Sequence, residues 1–417
     1  MITLVKGFHD ILPDDALKWS FITESARSCL RKYGFREIIT PIMEKTDLFV
    51  RGIGQVTDIV EKEMYTFQDI GGESLSLRPE ATAGILRSVI EHSLLRKEPI
   101  LRFFTIGPMF RRERPSKGRF RQFFQLNAEV LGDDDPFTDS ETISCACSIL
   151  ESIGAIDLVV EINSVGCKNC RSIYRDELRN FLKRHYNNLC QDCQRRMETN
   201  PLRCLDCKSP TCNEVMESAP VITDYLDKSC QDHFSDVRKG LDILDINYRL
   251  QPKMVRGLDY YTRTAFEIID LELGHSKAVG GGGRYDSLIS ELGGPDISGI
   301  GFAIGLERLI MSLRDSDEKF SRSIDLYVAP LGDETRQTCH KLVKQLRDAG
   351  FSVETKNTLS SLKSHMKQAD RAGAQKTIMM GSEELARGAV TIRDMVTKDQ
   401  SQVSLNDIII FLRGDGD

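Results

Sequence analysis

Apolar residues recur at helical spacing near the start of the chain. Leu17, Phe21, Ile22, Ala26, Cys29, Leu30 and Tyr33 share one face, and Gly34 supplies a stop. Phe35-Arg-Glu-Ile-Ile-Thr-Pro41 then reads as a strand running into a proline. Leu75-Ser-Leu-Arg-Pro-Glu80 is a shorter alternating strand. It leads through Ala81 and Thr82 into a helix with Ile85, Leu86, Val89, Ile90 and Leu94 on one side. Residues 101–131 alternate aromatic and polar positions about a charged loop, which predicts a long antiparallel hairpin. The stretch 254–267 is rich in β-branched and aromatic residues. It reads as a strand with Thr262, Thr264 and Phe266 on one face and Tyr261, Arg263 and Glu267 on the other.

Between about Cys167 and Leu250 the pattern changes to short helices, charged residues and paired cysteines, and strand signals resume at Met254. A core that stops and resumes implies an insertion. After a polar linker, strands near 326–329, 351–354, 377–380 and 390–393 alternate with helices over 335–349 and 361–373. That predicts an α/β unit with mostly parallel strands. The expected organisation is one domain in two parts, 1–165 and 253–320, an insertion over 166–252, and a separate unit over 324–417.

Composition narrows the class. The 417 residues suggest about three domains. No run approaches the roughly 20 apolar residues of a membrane span. The first seven residues lack a cationic stretch followed by an apolar one, so a cytoplasmic protein is expected. The net charge of −6 argues against a uniformly basic surface but allows a local basic site. Twelve cysteines, eight of them between Cys167 and Cys230, fit a reducing compartment where thiols stay free or bind metal.

Chemistry concentrates in four places. Residues 110–121 carry six cations and one carboxylate, a density suited to a polyphosphate or nucleic-acid backbone. On the returning strand Gln125, Asn127 and Glu129 would line one surface. In 254–267 a guanidinium, a carboxylate and two phenols precede the strand, which suits an anionic, polar ligand. The run Gly280-Gly-Gly-Gly-Arg-Tyr-Asp286 offers close backbone approach, with Arg284 and Tyr285 beside it. Residues 299–308 read as a glycine-thinned strand entering a helix, on which a purine ring could lie flat, with Arg308 placed to meet a phosphate.

Together these segments resemble the signatures of the histidyl-tRNA synthetase family of class II aminoacyl-tRNA synthetases. Arg256 to Glu267 and the 280–286 run are similar to its two histidine-specific motifs. Residues 110–129 resemble class II motif 2, residues 301–308 motif 3, and the helix and strand ending at Pro41 motif 1. Lys6 to Pro13 is similar to the family's opening, and the likeness extends through the C-terminal unit. Ala81, Phe124 and Asn127 depart from the family's usual Gly, His and Gly.

The resemblance implies an α/β fold: an α+β catalytic domain on an antiparallel sheet, a helical cysteine-rich insertion and an α/β anticodon-binding domain. It implies ATP-dependent joining of L-histidine to tRNA(His) by a homodimer, with Mg2+ bridging the phosphates. Arg111 and Arg256 would oppose each other at the α-phosphate, and Arg119 and Arg308 would bind the outer phosphates. Glu80, Thr82 and Gln125 would hold the ammonium group. Glu129 and Tyr261 would bond the imidazole, with Tyr260 and Tyr285 shaping the pocket. Silent paralogues of the family typically lose the histidine-specific motif and the anticodon-binding unit, and both are present here. The pairs Cys167-x2-Cys170, Cys190-x2-Cys193 and Cys204-x2-Cys207, followed by Cys212, have zinc-knuckle spacing. A structural Zn2+ is expected on Cys167, Cys170, Cys207 and Cys212.

Overall fold

The computed structural model describes all residues except 1, 55, 56, 58, 117, 156, 256–258, 272–277, 314–319, 321, 359 and 415–417. Two compact units emerge, Met1–Leu12 with Lys18–Asp315, and Pro13–Leu17 with Ser316–Asp417.

The strands of the first unit are β1 Arg36–Glu37, β2 Met43–Lys45, β3 Tyr65–Gln68, β4 Ser74–Leu77, β5 Leu101–Phe110, β6 Gln122–Leu131, β7 Leu158–Ser164, β8 Tyr248–Leu250, β9 Thr262–Asp270, β10 Ala278–Arg284 and β11 Gly299–Gly305. Its helices are α1 Pro13–Lys32, from Lys18 onward, α2 Thr46–Ile53, α3 Thr82–Glu91, α4 Pro136–Ser152, α5 Lys168–Arg184, α6 Gln191–Thr199, α7 Pro210–Glu217, α8 Lys228–Ile243, α9 Leu288–Glu291 and α10 Leu306–Ser312. An eight-stranded sheet runs β1-β5-β6-β11-β10-β9-β7-β8. Its inner pairings are antiparallel, and the outer strands β1 and β8 pair in parallel with β5 and β7.

Alternation along β6 divides the sheet into two faces. Leu126, Ala128 and Val130 enter a core shared with Ile22, Ala26 and Leu30 of α1 and with Ile143 and Ile149 of α4. Burying each of the larger aliphatic side chains among these contributes about 1.5–3 kcal/mol. Pro13 opens α1, Asp14 and Asp15 sit in its first turn, and Arg31 and Lys32 in its last, as the helix dipole favours. Gly34, at φ +78°, turns the chain out of it. On the opposite face Leu101 and Phe103 pack with Ile85 and Leu86 of α3 and Leu288 of α9. That face carries the polar odd-numbered residues of β6.

The glycines of β10 and β11 let these central strands meet closely. A β-carbon on Gly282 would stand 2.0 Å from the Gly301 carbonyl oxygen. The segment from α5 to α8 forms its own small core, where Tyr174, Leu178 and Leu182 pack among buried cysteines.

In the second unit β12 Ile324–Pro330, β13 Val353–Thr355, β14 Ala374–Met380, β15 Ala389–Asp394 and β16 Gln400–Ser404 form a sheet ordered β13-β12-β14-β15-β16. The expected parallel core is there: β12 pairs in parallel with β13 and β14. Beyond it β15 and β16 form an antiparallel hairpin edge. α11 Arg336–Asp348 and α12 Leu362–Arg371 bring apolar residues to separate clusters, Leu342 and Leu346 to one and Ala369 to the other. Strand β12 feeds both clusters, which is why it reads as a nearly continuous apolar run.

Candidate active site

Strands β5 and β6 form the predicted hairpin, with Arg111 N–H donating to the Arg121 carbonyl at 2.9 Å to close it. Phe123, Gln125, Asn127 and Glu129 follow at two-residue spacing and line a cavity of about 450 Å³. Strand β11 pairs with β6 so that Gly301 lies opposite Glu129. A β-carbon on Gly301 would stand 1.7 Å from Glu129 Oε2, and one on Gly299 would stand 2.4 Å from the Tyr285 ring. The thinned strand therefore makes room for two particular side chains.

At one end the cavity is an acid lined by phenols. Glu129 is 1% exposed. Thr82 Oγ1 donates to its Oε1 at 2.6 Å, and the Tyr285 hydroxyl donates to its Oε2. Burial pushes Glu129 up to about 8, against the help of those two donors. Tyr260 packs on Tyr261 and edge-on to Tyr285, at ring separations of 4.7 and 5.7 Å. Glu80 caps α3: its carboxylate accepts from Thr82 N at 2.7 Å and Ala83 N at 2.9 Å. Burial nevertheless raises its pKa. Among the described residues, the buried Gln125 Oε1 and Asn127 Oδ1 receive no hydrogen bond. Each is an acceptor suited to a ligand N–H.

The other end is cationic. Arg111 lies over the Phe123 ring, with its guanidinium carbon 5.3 Å from the centroid, and its Nε donates to the Pro79 carbonyl at 2.9 Å. Arg119 pairs with Glu113 at 3.2 Å. Arg308 opens α10 and donates to the Ala278 carbonyl. Burial, then the like charges of Arg119 and Arg111, lower the Arg308 pKa. Cations held together at such a cost favour a bound polyanion. Glu113, Glu267 and Glu307 share the wall. Burial lifts Glu307 to about 7, and it accepts from Phe124 N at 2.9 Å. Glu113 and Glu267 offer the hard oxygens that a Mg2+ carried by a polyphosphate would take.

Glu80, Thr82, Arg111, Arg119, Gln125, Glu129, Tyr260, Tyr261, Tyr285 and Arg308 thus line one cavity. Arg256 lies outside the described residues. Two expectations need correction. Arg263 does not share a face with Tyr261 and Glu267. It takes φ +50° at a register break between β9 and β10, so the alternation shifts there. Arg284 does not face a ligand. It is fully buried and pairs with Asp139, fixing β10 to α4. The sequence reading also missed Glu113, Glu307 and, from the insertion, Arg203, Asp206 and Lys208, all of which line the cavity. Glu113 was visible as the lone acid in a basic loop.

The expected metal set is corrected as well. Cys167 and Cys170 gather with Asp227 and Cys230, whereas Cys207 and Cys212 gather with Cys190 and Cys193. The expected four belong to two separate groups, because Cys167 and Cys170 meet Asp227 and Cys230 at the start of α8, whereas Cys190 and Cys193 meet Cys207 and Cys212.

The profile described as histidyl-tRNA synthetase matches residues 7–309, and one described as anticodon binding domain matches residues 325–414. The histidine–tRNA ligase of Halothermothrix orenii is 48% identical over 406 residues, 97% of each chain. That of Geobacter metallireducens is 46% identical over 98% of this chain and 99% of its own. The crystal structure of apo histidyl-tRNA synthetase from S. aureus superposes with a TM-score of 0.83 at 35% identity, covering 99% of this chain and 100% of that one. With full-length likeness in sequence and fold, the chain belongs to the histidyl-tRNA synthetase family.

Proposed function

We propose that the cavity activates L-histidine with ATP and passes the histidyl group to tRNA(His), so that the chain acts as a histidine–tRNA ligase. The observation that carries the chemistry is one cavity lined both by a buried acid, Glu129, and by the guanidinium groups of Arg111, Arg119 and Arg308. A histidine carboxylate oxygen bonds to the α-phosphorus, the bond to the β-phosphate bridging oxygen breaks, and pyrophosphate leaves. The terminal adenosine hydroxyl of the tRNA then attacks the histidyl carbonyl carbon and AMP leaves.

In this reading Arg111 and Arg256 share the charge that gathers on the α-phosphate, and Arg119 and Arg308 hold the outer phosphates. The planar guanidinium forks suit bidentate contact with phosphate oxygens. Glu113 and Glu267 line the same cavity and would hold Mg2+, which when bound would offset phosphate charge. Glu129 and Tyr261 take the imidazole, and Tyr260 and Tyr285 close around it. Gln125, with its unmatched buried oxygen, receives the ammonium group beside Thr82 and Glu80. The family resemblance further suggests a cytoplasmic homodimer. Among the described residues no helix is long and apolar enough to cross a membrane.

Histidine-dependent exchange of pyrophosphate into ATP tests the first step, and charging of tRNA(His) the second. Absence of exchange in folded protein supplied with Mg2+ would reject the reading.

A further inference from the structure

The eight thiols between Cys167 and Cys230 play no part in the chemistry of the cavity, and all are free. Seven of them fall into two compact groups. In one, the sulfur atoms of Cys190, Cys193, Cys207 and Cys212 all lie within 4.8 Å of one another, with Cys190 and Cys207 3.8 Å apart. In the other, the sulfurs of Cys167, Cys170 and Cys230 and an oxygen of Asp227 meet the same limit. There Cys167 Sγ stands 3.5 Å from Cys170 Sγ and 3.1 Å from Asp227 Oδ2. Sulfurs bound tetrahedrally to Zn2+ at about 2.3 Å sit roughly 3.8 Å apart. A disulfide would join two sulfurs at about 2.05 Å and leave the other donors without purpose.

The surroundings are built for thiolates. Cys190 N–H points at Cys212 Sγ at 3.2 Å, Asp227 N–H at Cys170 Sγ at 3.1 Å, and Ser209 N–H at Cys207 Sγ at 3.5 Å. Such donors orient metal ligands and offset their charge. Gly166, at φ +66°, makes the turn into Cys167, where a β-carbon would stand 2.6 Å from Cys170 Cβ. Cys204 belongs to neither group, since its thiol points to the Cys193 carbonyl at 3.5 Å.

We propose that each chain binds two structural Zn2+ ions, one on Cys190, Cys193, Cys207 and Cys212 and one on Cys167, Cys170, Asp227 and Cys230. Each cysteine releases its proton to solvent as the metal binds. Asp227 serves twice: Oδ1 caps α8 by accepting from Cys230 N at 2.8 Å, and Oδ2 faces the thiols. The run Asp227-x2-Cys230 is a knuckle in which a carboxylate stands for the first thiolate.

The two ions brace a wall of the cavity. Arg171, next to Cys170, donates to the carbonyls of Asp259 at 3.1 Å and Tyr261 at 2.8 Å. Asn200, between the second and third cysteine pairs, donates to Asp259 Oδ2 at 3.0 Å. Arg203, Asp206 and Lys208, around the third pair, line the cavity itself. Metal loss is therefore expected to loosen the turn that carries Tyr260 and Tyr261.

The test is metal stoichiometry on the reduced full-length chain, stripped by chelator and titrated with Zn2+ and with Co2+. Two equivalents per chain are expected. Cys207→Ser and Cys167→Ser should each lose one. Asp227→Cys should keep two and strengthen the near-ultraviolet cobalt–thiolate band from seven thiolates' worth to eight. Wild-type protein binding one equivalent or none overturns the proposal. So does an unchanged cobalt band in Asp227→Cys. That variant keeps a ligand at every position, so it decides the second site even if the serine variants fail to fold.

Discussion

Gly301 makes the space that Glu129 occupies: the two lie opposite each other on β11 and β6, and a β-carbon on the glycine would stand 1.7 Å from Glu129 Oε2. The next closest atom group includes the Ala128 carbonyl oxygen at 2.6 Å, which is backbone and cannot swing away. Gly301→Ala must therefore displace the acid or part the strands. Overpacking of this kind costs about 1–3 kcal/mol. The expected outcome is a KM for histidine raised about 100-fold or more, with KM for ATP changed several-fold less. Equal losses in both would mean that the substitution damages the sheet generally.

Glu129 also gives a pH signature. Burial raises it from an ordinary 4.5 to about 8 in the folded chain. Below 4.5 it is protonated in both states. Between about 4.5 and 8 only the folded form holds the proton, so its contribution to stability falls as pH rises, and above 8 the loss is complete. Glu129→Gln removes this dependence while keeping one oxygen for Thr82 or Tyr285, and the other hydroxyl can accept from the amide N–H. The variant, measured without ligands, should gain in Tm relative to the parent from pH 5 to 8 and then level off. Its histidine KM should rise on the order of 100-fold, because the paired acid that reads the ring is gone. A Tm difference flat across this range would show that Glu129 ionises normally.

Much of this site was legible because its chemistry rides on simple periods. Gln125, Asn127 and Glu129 share a face by strand alternation, and α3 follows Glu80 as the apolar spacing at Ile85, Leu86 and Val89 requires. What sequence periodicity hides is the exception to the period. One residue in left-handed conformation at Arg263 reverses the faces before and after it. Arg284 looks like a ligand-facing cation until its buried partner Asp139, 145 residues distant, is in view. The metal groups fail for a related reason: spacing finds pairs, but only packing decides which pairs meet, and Asp227 carries no cysteine signal at all.

Arg111 is the cation whose position is best supported, stacked on Phe123 and anchored through Nε to Pro79. This leaves its two terminal nitrogens to face a phosphate as a preformed fork. Arg111→Ala should lower kcat for pyrophosphate exchange by about 10³-fold, in the range seen when a transition-state cation is removed. Histidine affinity by calorimetry should change less than about threefold. Arg111→Lys should recover little, since an ammonium neither stacks flat nor presents two parallel donors. Recovery to within tenfold of the parent would show that charge alone suffices.

Glu80 separates structure from substrate binding. Its two oxygens accept from Thr82 N and Ala83 N, so it ends the otherwise open first turn of α3. Glu80→Ala removes both the cap and the charge, at about 1–2 kcal/mol of stability. Glu80→Gln keeps one acceptor for the cap and removes only the charge that would face an ammonium group. If Glu80 acts on substrate as well as on the helix, the glutamine variant should hold its Tm within a few degrees while histidine KM rises about tenfold or more. If it serves the helix alone, histidine KM should follow Tm in both variants. Thermal melts and exchange kinetics on the same two preparations decide between these outcomes.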